Sequence, residues 1–305
     1  MSVPAVRAAP VLVPGTRPVS GYEVLAHLAR TGWLDVYDVW SEERDCRCVL
    51  KAVRPDRRGQ EQLGERLLRE GRWLGAFTHP HLVRAYETFE SPVPLVVLET
   101  LTGETLSHLV HRLRRRPSAA DVALLGVQLC SAVHYLHGQG LLHLDLKPSN
   151  VVVDCGHAKV LDLSIARPPG PVPAGVGTFC YLAPEQARGG SLSAAADVWG
   201  IGITLYEVAA GDVPFGRGDF RGVSSRGTEG DGPCDGSGTG GGDGRYPQLE
   251  GAAPPIGSRR RLPGGLAAAI DGCLQCDPSS RPSVAELAAA LDGALPGPGR
   301  RTARP

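Results

Sequence analysis

A polar loop between two apolar runs limits the folds open to this chain more than any other stretch. The loop, residues 141–150, reads LLHLDLKPSN and is followed at once by VVV; a second apolar run ends at Asp162. Between the runs, Asp154-Cys155-Gly156-His157 predicts a tight hairpin turn, because Asp and Gly tolerate the backbone angles of a reversal. The hairpin therefore places Asp162 beside Asn150.

An acid and an amide at neighbouring strand ends form an oxygen-rich site of the kind that Mg²⁺ prefers. Asn150 and Asp162 are the predicted metal ligands. Asp145 and Lys147 lie on the same loop, where a carboxylate can orient a hydroxyl and an ammonium can hold a phosphate. The loop therefore predicts a phosphate-handling site, although a polar loop that merely caps a helix would carry similar residues.

The same stretch resembles the catalytic loop of the eukaryotic-type protein kinases found in bacteria, H-R-D-L-K-x-x-N. Here the catalytic loop is residues 143–150, with Leu144 where the family has arginine. Further motifs follow in family order from Tyr22 to Leu291. The resemblance implies an α+β, two-lobed protein kinase fold, with a small antiparallel-sheet N-lobe that contains one helix and a larger, mostly helical C-lobe.

Composition and motifs together predict the domain boundaries. Residues 1–20 are rich in proline and predict a flexible leader, and residues 21–101 would form the N-lobe. Residues 102–295 would form the C-lobe and include a segment, 216–245, dominated by Gly, Ser, Asp and Thr. Such a segment buries too little apolar surface to offset its ordering entropy and predicts a disordered insertion. Residues 296–305 would be a tail.

The bulk composition narrows the class of protein. The chain has 305 residues, 42% hydrophobic, with 32 basic and 32 acidic side chains, so no net field favours nucleic acid or an anionic membrane. No run approaches the ~20 apolar residues of a membrane span, and the first residues lack the apolar core of a secretion signal. We therefore expect a cytoplasmic protein with free thiols at its 8 cysteines; the oligomeric state is open.

Two charged residues of the N-lobe are predicted to form a buried pair. Lys51 lies in a strand pattern and matches the family's V-A-I-K lysine. In the helix predicted over residues 60–77, Glu70 falls on the apolar stripe and needs a cationic partner, because an unpaired buried charge is very costly. The resemblance implies the same Lys–Glu pair, which grips the phosphates of ATP. Three glycines weaken this helix and predict that it is mobile.

The hairpin that would cover the nucleotide departs from the family pattern G-x-G-x-x-G. The aligned stretch has Ala29, Thr31 and Leu34 at the glycine positions and keeps only Gly32 between them. Side chains there restrict the backbone and fill space meant for phosphates, and Asp35 adds a negative charge that would oppose a triphosphate. Two interpretations stay open: the hairpin covers ATP with looser contact, or it blocks ATP.

The resemblance assigns further residues to a site for ATP and Mg²⁺, for which Mn²⁺ could substitute. Leu98 would screen the back of the adenine pocket, and the hinge from Glu99 to Leu101 would hydrogen-bond adenine through its backbone. The complete set of predicted nucleotide-binding residues is Ala29, Gly32, Val36, Lys51, Glu70, Glu99, Leu101, Asn150 and Asp162.

The activation segment, residues 162–185, departs from the family twice. The family's D-F-G stands here as DLS, which keeps the acid and places Ser164 where the family has glycine. Residues 165–177 contain no Ser, Thr or Tyr, and Leu144 replaces the arginine that would receive a phosphate. Acceptor and receiver are both missing, so we expect that phosphorylation of this segment does not switch the protein.

Later motifs follow the family more closely. The run GTFCYLAPE matches the end of the activation segment, and Thr178 together with Lys147 resembles Ser/Thr kinases rather than tyrosine kinases. By resemblance, Asp197 hydrogen-bonds the backbone of the catalytic loop. The resemblance also implies an ion pair between Glu185 and Arg281.

These features predict a serine/threonine protein kinase that transfers the γ-phosphoryl of ATP to protein Ser or Thr. Asp145 would accept the proton of the substrate hydroxyl, and Lys147 would neutralise the transferring phosphoryl. Asn150 and Asp162 would hold the metal, and the partners would be protein substrates. The alternative is a pseudokinase that acts as a binding or scaffold module, which the altered glycine loop and Ser164 favour.

Overall fold

A computed structural model of the chain describes residues 9–113, 115–215 and 246–296. The chain divides into two compact units. Within the described residues, the smaller unit holds residues 9–78 and 83–101, and the larger unit holds residues 79–82 and those from 102 onward. The predicted insertion, 216–245, lies outside the described residues.

An antiparallel sheet with strand order β1-β2-β3-β5-β4 forms the frame of the smaller unit. Its strands are β1 (Tyr22–Arg30), β2 (Leu34–Ser41), β3 (Cys46–Val53), β4 (Ala85–Phe89) and β5 (Leu95–Glu99). Alternate side chains point into one core, where Val24, Val39, Leu50 and Val97 are fully buried. The strands are rich in β-branched and aromatic residues, which pack well on a pleated surface.

The helix α1 (Glu61–Ala76) packs against β3, β4 and β5. Leu67, Glu70 and Leu74 are buried on its inner face, as the apolar stripe predicted. A Cβ at Gly71 would lie 2.6 Å from a methyl carbon of Val96. Close packing of the helix on the sheet therefore requires a glycine at this position.

The prediction of a flexible leader is wrong for residues 9–20. Gly15 N donates to Val24 O at 2.8 Å, and Val24 N donates to Thr16 O at 2.9 Å. Apolar side chains of this segment also pack on the core of the sheet, namely those of Val11, Leu12 and Val19. Prolines interrupt the segment, so its apolar residues form no regular spacing pattern in the sequence. Their packing on the sheet is visible only in the structure.

The larger unit is mostly helical. Its helices are α2 (Leu106–Arg112), α3 (Ala119–Gly138), α4 (Pro184–Arg188), α5 (Ala194–Ala210), α6 (Pro247–Glu250), α7 (Gly264–Cys273) and α8 (Val284–Asp292). Its strands are β6 (Glu104–Thr105), β7 (Val151–Asp154), β8 (His157–Val160), β9 (Gly170–Val172) and β10 (Gly190–Leu192). The strands form two small sheets, β6-β7-β8 and β9-β10. The smaller unit is a sheet with one packed helix, and the larger unit is mostly helical. This is the α+β architecture that the sequence predicted.

Two helices form the interior of the larger unit. Every residue of α5 from Ala196 to Ala209 is buried. The helix α3 begins with a capping box, in which Asp121 N donates to Ser118 Oγ at 3.1 Å and Ser118 N donates to Asp121 Oδ2 at 3.0 Å.

Within the described ranges, α3 is long and apolar enough to cross a membrane by length and composition alone, which the sequence analysis did not expect. Yet 56% of its apolar window is buried inside the structure. The core helix of a folded domain passes the same test, so this property of α3 is weak support for a membrane span.

The predicted ion pair between Glu185 and Arg281 is confirmed. Arg281 Nη1 and Nη2 donate to the two carboxylate oxygens at 2.6 and 2.8 Å. The Arg281 side chain is fully buried, and its guanidinium lies 5.0 Å from the ring centroid of Trp199. The same group donates to the carbonyl oxygens of Ala195, Gln275 and Cys276. One arginine thus joins α4, α5 and the segment before α8.

Replacing Arg281 with Met should destabilise the larger unit by about 3–5 kcal/mol, because the Glu185 carboxylate loses its buried partner. Glu185→Gln should cost less, about 1–3 kcal/mol, since the amide still accepts a hydrogen bond. Urea denaturation followed by tryptophan fluorescence measures both changes. Arg188→Met, an exposed arginine on the same helix, is the control. A loss as small as that of the control would contradict the role given to Arg281.

Candidate active site

The catalytic loop leads into the hairpin that the sequence predicted. Cys155 and Gly156 make the turn between β7 and β8 with φ angles of 48° and 84°, the left-handed pair that suits a two-residue hairpin. At the open end of the hairpin, Leu161 N donates to Asn150 O at 3.0 Å. Asp162 therefore directly follows Leu161, whose backbone N–H is hydrogen-bonded to Asn150.

Asp145 is the centre of a hydrogen-bond network. Its Oδ1 accepts from the backbone N and the hydroxyl of Thr178 at 3.1 and 2.6 Å, and its Oδ2 accepts from Asn150 Nδ2 at 3.0 Å. Lys147 Nζ lies 3.3 Å from Asp145 Oδ2 and donates to Thr178 Oγ1 at 2.7 Å. The structure thus brings Asp145 and Lys147 together around the hydroxyl of Thr178, with Asn150 bonded to the other oxygen of Asp145.

The two predicted metal ligands have defined orientations. Asn150 Nδ2 donates to Asp145 O at 2.9 Å as well as to its carboxylate, so the amide oxygen is the Asn150 atom that suits a cation. Asp162 Oδ1 accepts from Ser164 N at 2.7 Å. Among the described residues no group of three His, Cys, Asp or Glu side chains could hold a metal. A cation here would complete its shell with oxygens from a bound phosphate.

Asp197 holds the backbone of the catalytic loop, as the resemblance implied. This carboxylate is 1% exposed and accepts from His143 N and Leu144 N, both at 2.8 Å. His137 Nε2 lies 2.8 Å from the same carboxylate, a contact that no sequence pattern predicted. Leu144 has a φ of 66°, a left-handed conformation that is rare for a branched side chain.

His143 is a structural member of this loop. Burial lowers the pKa of its imidazole, and the nearby Asp197 and Asp145 carboxylates oppose that shift. Asp145 N donates to His143 Nδ1 at 3.2 Å, which places the imidazole proton on Nε2. The ring is therefore neutral, and it fixes the backbone of Asp145 rather than exchanging protons.

In the smaller unit, Lys51 Nζ donates to Glu70 Oε1 at 2.7 Å. The Glu70 side chain is fully buried and that of Lys51 is 12% exposed, so the predicted pair forms. The strand register sets Val36 opposite Lys51 and Ala29 opposite Val36. Directly opposed residues share a face of a sheet, so these three predicted site residues lie on one face.

Hydrogen bonds within the turn close the hairpin tip between β1 and β2, which carries Gly32. Thr31 Oγ1 accepts from Leu34 N at 3.0 Å and from Trp33 N at 3.4 Å, and Thr31 N donates to Leu34 O at 2.8 Å. Arg54 Nη1 donates to Thr31 O at 3.0 Å and to Gly32 O at 3.4 Å. Three of the N–H groups that a glycine-rich loop would offer to phosphates are therefore already used.

Asp35 does not present the opposing charge that the sequence predicted. Its carboxylate is 1% exposed and accepts from Arg30 Nε and Nη2 at 2.6 and 2.9 Å. His27 Nε2 lies 3.2 Å from the same group. Arg30 also donates to the carbonyl of Ala9 in the leader. This bidentate pair neutralises Asp35 within the smaller unit.

The predicted hinge lies at the end of β5. Leu98 is buried. Glu99 N donates to Arg84 O at 3.0 Å, and Glu99 Oε1 accepts from Arg84 N at 2.9 Å. The Glu99 N–H is thus used inside the smaller unit, so adenine contacts would come from other backbone groups up to Leu101.

Two buried glutamines that no sequence pattern marks hold the activation segment. Gln186 Nε2 donates to Leu144 O at 2.9 Å and to Val176 O at 3.0 Å. Gln248 Nε2 donates to Phe179 O at 3.1 Å. A glutamine is common on protein surfaces, and neither position belongs to a spacing pattern that would mark it as buried.

Comparison with known proteins identifies the family of this chain. The family described as protein kinase domain matches residues 22–290 of the chain. The serine/threonine-protein kinase PknB of Mycobacterium leprae is 34% identical over 179 residues, which are 55% of this chain and 29% of that protein. A probable serine/threonine-protein kinase of Streptomyces coelicolor is 31% identical over 207 residues, 64% of this chain and 31% of that protein. The chain thus spans less than a third of these curated relatives.

Solved structures show a related fold. The kinase domain of Mycobacterium tuberculosis PknI aligns with a TM-score of 0.67 and 21% identity, and the alignment covers 93% of this chain and 100% of that one. At this identity the likeness concerns the fold alone.

Replacing Thr31 with Val should loosen the hairpin tip, because the change removes the acceptor of two amides and keeps the side-chain volume. Hydrogen exchange of the Trp33 and Leu34 amides, measured by NMR, should become at least about ten-fold faster. Thr31→Ser keeps the acceptor and should exchange like the wild type. Unchanged exchange in Thr31→Val would mean that Arg54 and the backbone bonds hold the tip without the hydroxyl.

Proposed function

The chain belongs to the protein kinase family, and we propose that it transfers the γ-phosphoryl group of ATP to Ser or Thr hydroxyls of other proteins. The observation that carries this proposal is the arrangement of Asp145, Lys147 and Thr178, in which a carboxylate and an ammonium already hold an aliphatic hydroxyl. The curated relatives carry the name serine/threonine-protein kinase and are longer than this chain, so the activity of the whole protein is part of the proposal.

Asp145 is the proposed base. Asn150 and Thr178 fix the direction of its carboxylate before a substrate arrives. A substrate hydroxyl presented to this carboxylate would give up its proton there, while Lys147 stays close enough to offset the negative charge of the transferring group. Positioning and charge stabilisation of this kind supply most of the catalysis in phosphoryl transfer.

The donors in each unit are of the kinds that bind ATP and a divalent cation. Lys51, oriented by the buried Glu70, would hold the α- and β-phosphates. The Asn150 amide oxygen and the Asp162 carboxylate would ligate Mg²⁺ or Mn²⁺, whose charge offsets that of the phosphates. Because the hairpin-tip amides are engaged with Thr31 and Leu34, phosphate binding would depend on the lysine and the cation more than on the tip.

A second candidate is a pseudokinase that acts as a binding or scaffold module with weak or no ATP turnover. The closed hairpin tip favours it, because Thr31 stands where the family has glycine and holds the tip amides. Neutralisation of Asp35 by Arg30 opposes it, and so does the retention of the family's polar site residues, which are Lys51, Glu70, Asp145, Lys147, Asn150 and Asp162. We therefore place the enzyme first.

The partners of this proposed activity are proteins with accessible Ser or Thr side chains. We further propose a cytoplasmic location, because ATP is available there. The described cysteines are free thiols, which suits a reducing compartment.

Asp145→Asn should lower phosphoryl transfer by at least about 100-fold, because an amide cannot accept the substrate proton. Binding of ATP with Mg²⁺, measured by calorimetry, should change by less than about three-fold, since Asp145 is not among the proposed phosphate or metal ligands. Transfer of radiolabelled phosphate to a generic protein substrate gives the rate. Asp154→Asn, at the far end of the same hairpin, is the control and should keep full transfer. Turnover retained in Asp145→Asn would refute the assignment.

Phosphorylation of the activation segment should not be needed for activity. Residues 165–177 offer no hydroxyl, and the uncharged Leu144 is buried where a phosphate would require a cation. After phosphatase treatment and removal of the phosphatase, the protein should phosphorylate substrate at the same rate as untreated protein. Mass spectrometry confirms that the segment carries no phosphate. A loss of activity that returns after incubation with ATP would contradict this expectation.

A further inference from the structure

The peptide group between Leu144 and Asp145 lies directly before the proposed base. Leu144 has a φ of 66°, and a branched residue keeps this left-handed conformation only where its surroundings hold it. Its N–H donates to Asp197 Oδ1 at 2.8 Å, and its carbonyl accepts from Gln186 Nε2 at 2.9 Å. The residue is therefore held from both sides, by α5 and by α4.

The same Gln186 amide nitrogen reaches the activation segment. It donates to Val176 O at 3.0 Å, and Gln186 Oε1 accepts from Ala183 N at 3.1 Å. The backbone of Gln186 also accepts from Gly175 N at 2.8 Å. Gln186 is 3% exposed, so water does not compete for these bonds. One side chain thus links the catalytic loop, the activation segment and the start of α4.

The activation segment approaches the loop at a position that only glycine fits. Gly177 has a φ of 128°, and a Cβ there would lie 3.1 Å from Leu144 O and 3.3 Å from Gln186 Nε2. The next residue, Thr178, gives its N–H and its hydroxyl to Asp145. Thr178 therefore lies two residues after Val176, whose carbonyl group Gln186 holds.

We propose that Gln186 is a positioning residue that fixes the activation segment to the catalytic loop, in the place of a contact between a phosphate and an arginine. The segment has no hydroxyl in residues 165–177, and Leu144 has no charge. An uncharged amide with two donors joins the two carbonyl groups without modification, so folding alone assembles the active arrangement. This inference rests on the proposed kinase function and names what orders its site.

Two substitutions at Gln186 test whether the hydrogen-bond donors of the amide, rather than the volume of the side chain, are required. Gln186→Met keeps a similar volume and removes both donors. Gln186→Glu sets a carboxylate against two carbonyl oxygens, which disfavours the charged form and raises the pKa of the new group. Its protonated form has one O–H that can donate to one carbonyl, so this variant should work better at low pH than at high pH.

Steady-state kinetics as a function of pH test the proposal. The kcat of Gln186→Glu relative to wild type should fall by about ten-fold or more as pH rises through the neutral range. The kcat of Gln186→Met should be at least about ten-fold low at every pH, and the KM for ATP should stay within about two-fold in both variants. A pH profile of Gln186→Glu parallel to that of the wild type, or full kcat in Gln186→Met, would overturn the proposal.

Gln128 provides a matched control. It is also buried, at 7% exposure; its Nε2 donates to Gly156 O at 2.8 Å, and its Oε1 accepts from Ala158 N at 2.6 Å. These partners lie at the turn end of the β7–β8 hairpin. Gln128→Met should lower the thermal midpoint much as Gln186→Met does and leave kcat unchanged. An equal loss of kcat in both variants would show that general destabilisation, rather than positioning, explains the effect.

Failure of this inference and failure of the proposed function give different results. If the wild type transfers no phosphate, the proposed function fails, and hydrogen exchange still tests the link. The Thr178 amide should exchange at least about ten-fold faster in Gln186→Met than in wild type or Gln128→Met. Unchanged exchange of Thr178 in Gln186→Met would overturn the positioning role whether or not the protein is active.

Discussion

The buried carboxylate of Asp197 is the constraint on which the site depends. It lies in the fully buried part of α5 and is 1% exposed, and a charge in such a place is stable only when N–H groups surround it. The backbone of the catalytic loop supplies two of them through His143 and Leu144. The loop therefore takes its shape from the need to satisfy one acid in the core, and the left-handed Leu144 is held in place by that requirement.

The other residues of the larger unit's candidate site are connected to Asp197 through the catalytic loop. Leu144 precedes Asp145, whose carboxylate then meets Asn150 and Thr178. The smaller unit uses the same physical device, since the fully buried Glu70 holds Lys51 as its cation. In both units a buried acid fixes the position of donor groups at the candidate site. Asp197 holds backbone N–H groups of the catalytic loop, and Glu70 holds the ammonium of Lys51. Burial makes these contacts strong, because water does not compete for the donors.

The glycine-poor hairpin lacks the family motif, whereas the Lys51–Glu70 pair of the same unit is present. Thr31 turns the tip amides inward, and Arg30 neutralises Asp35. The first change removes a source of phosphate contacts, and the second removes a source of repulsion. Neither change disturbs the Lys51–Glu70 pair, which depends on α1 packing against the sheet through the close approach at Gly71.

The sequence by itself determined the hairpin that sets Asp162 beside Asn150 and the inward stripe that carries Glu70, because both are local patterns of turn chemistry and apolar spacing. It also identified the motif residues of the catalytic loop. Only the tertiary structure decided the anchoring of residues 9–20, the neutralisation of Asp35 and the contacts of Gln186. Each of these depends on partners far away in the chain, and a polar side chain carries no local signal of which distant backbone group it will meet.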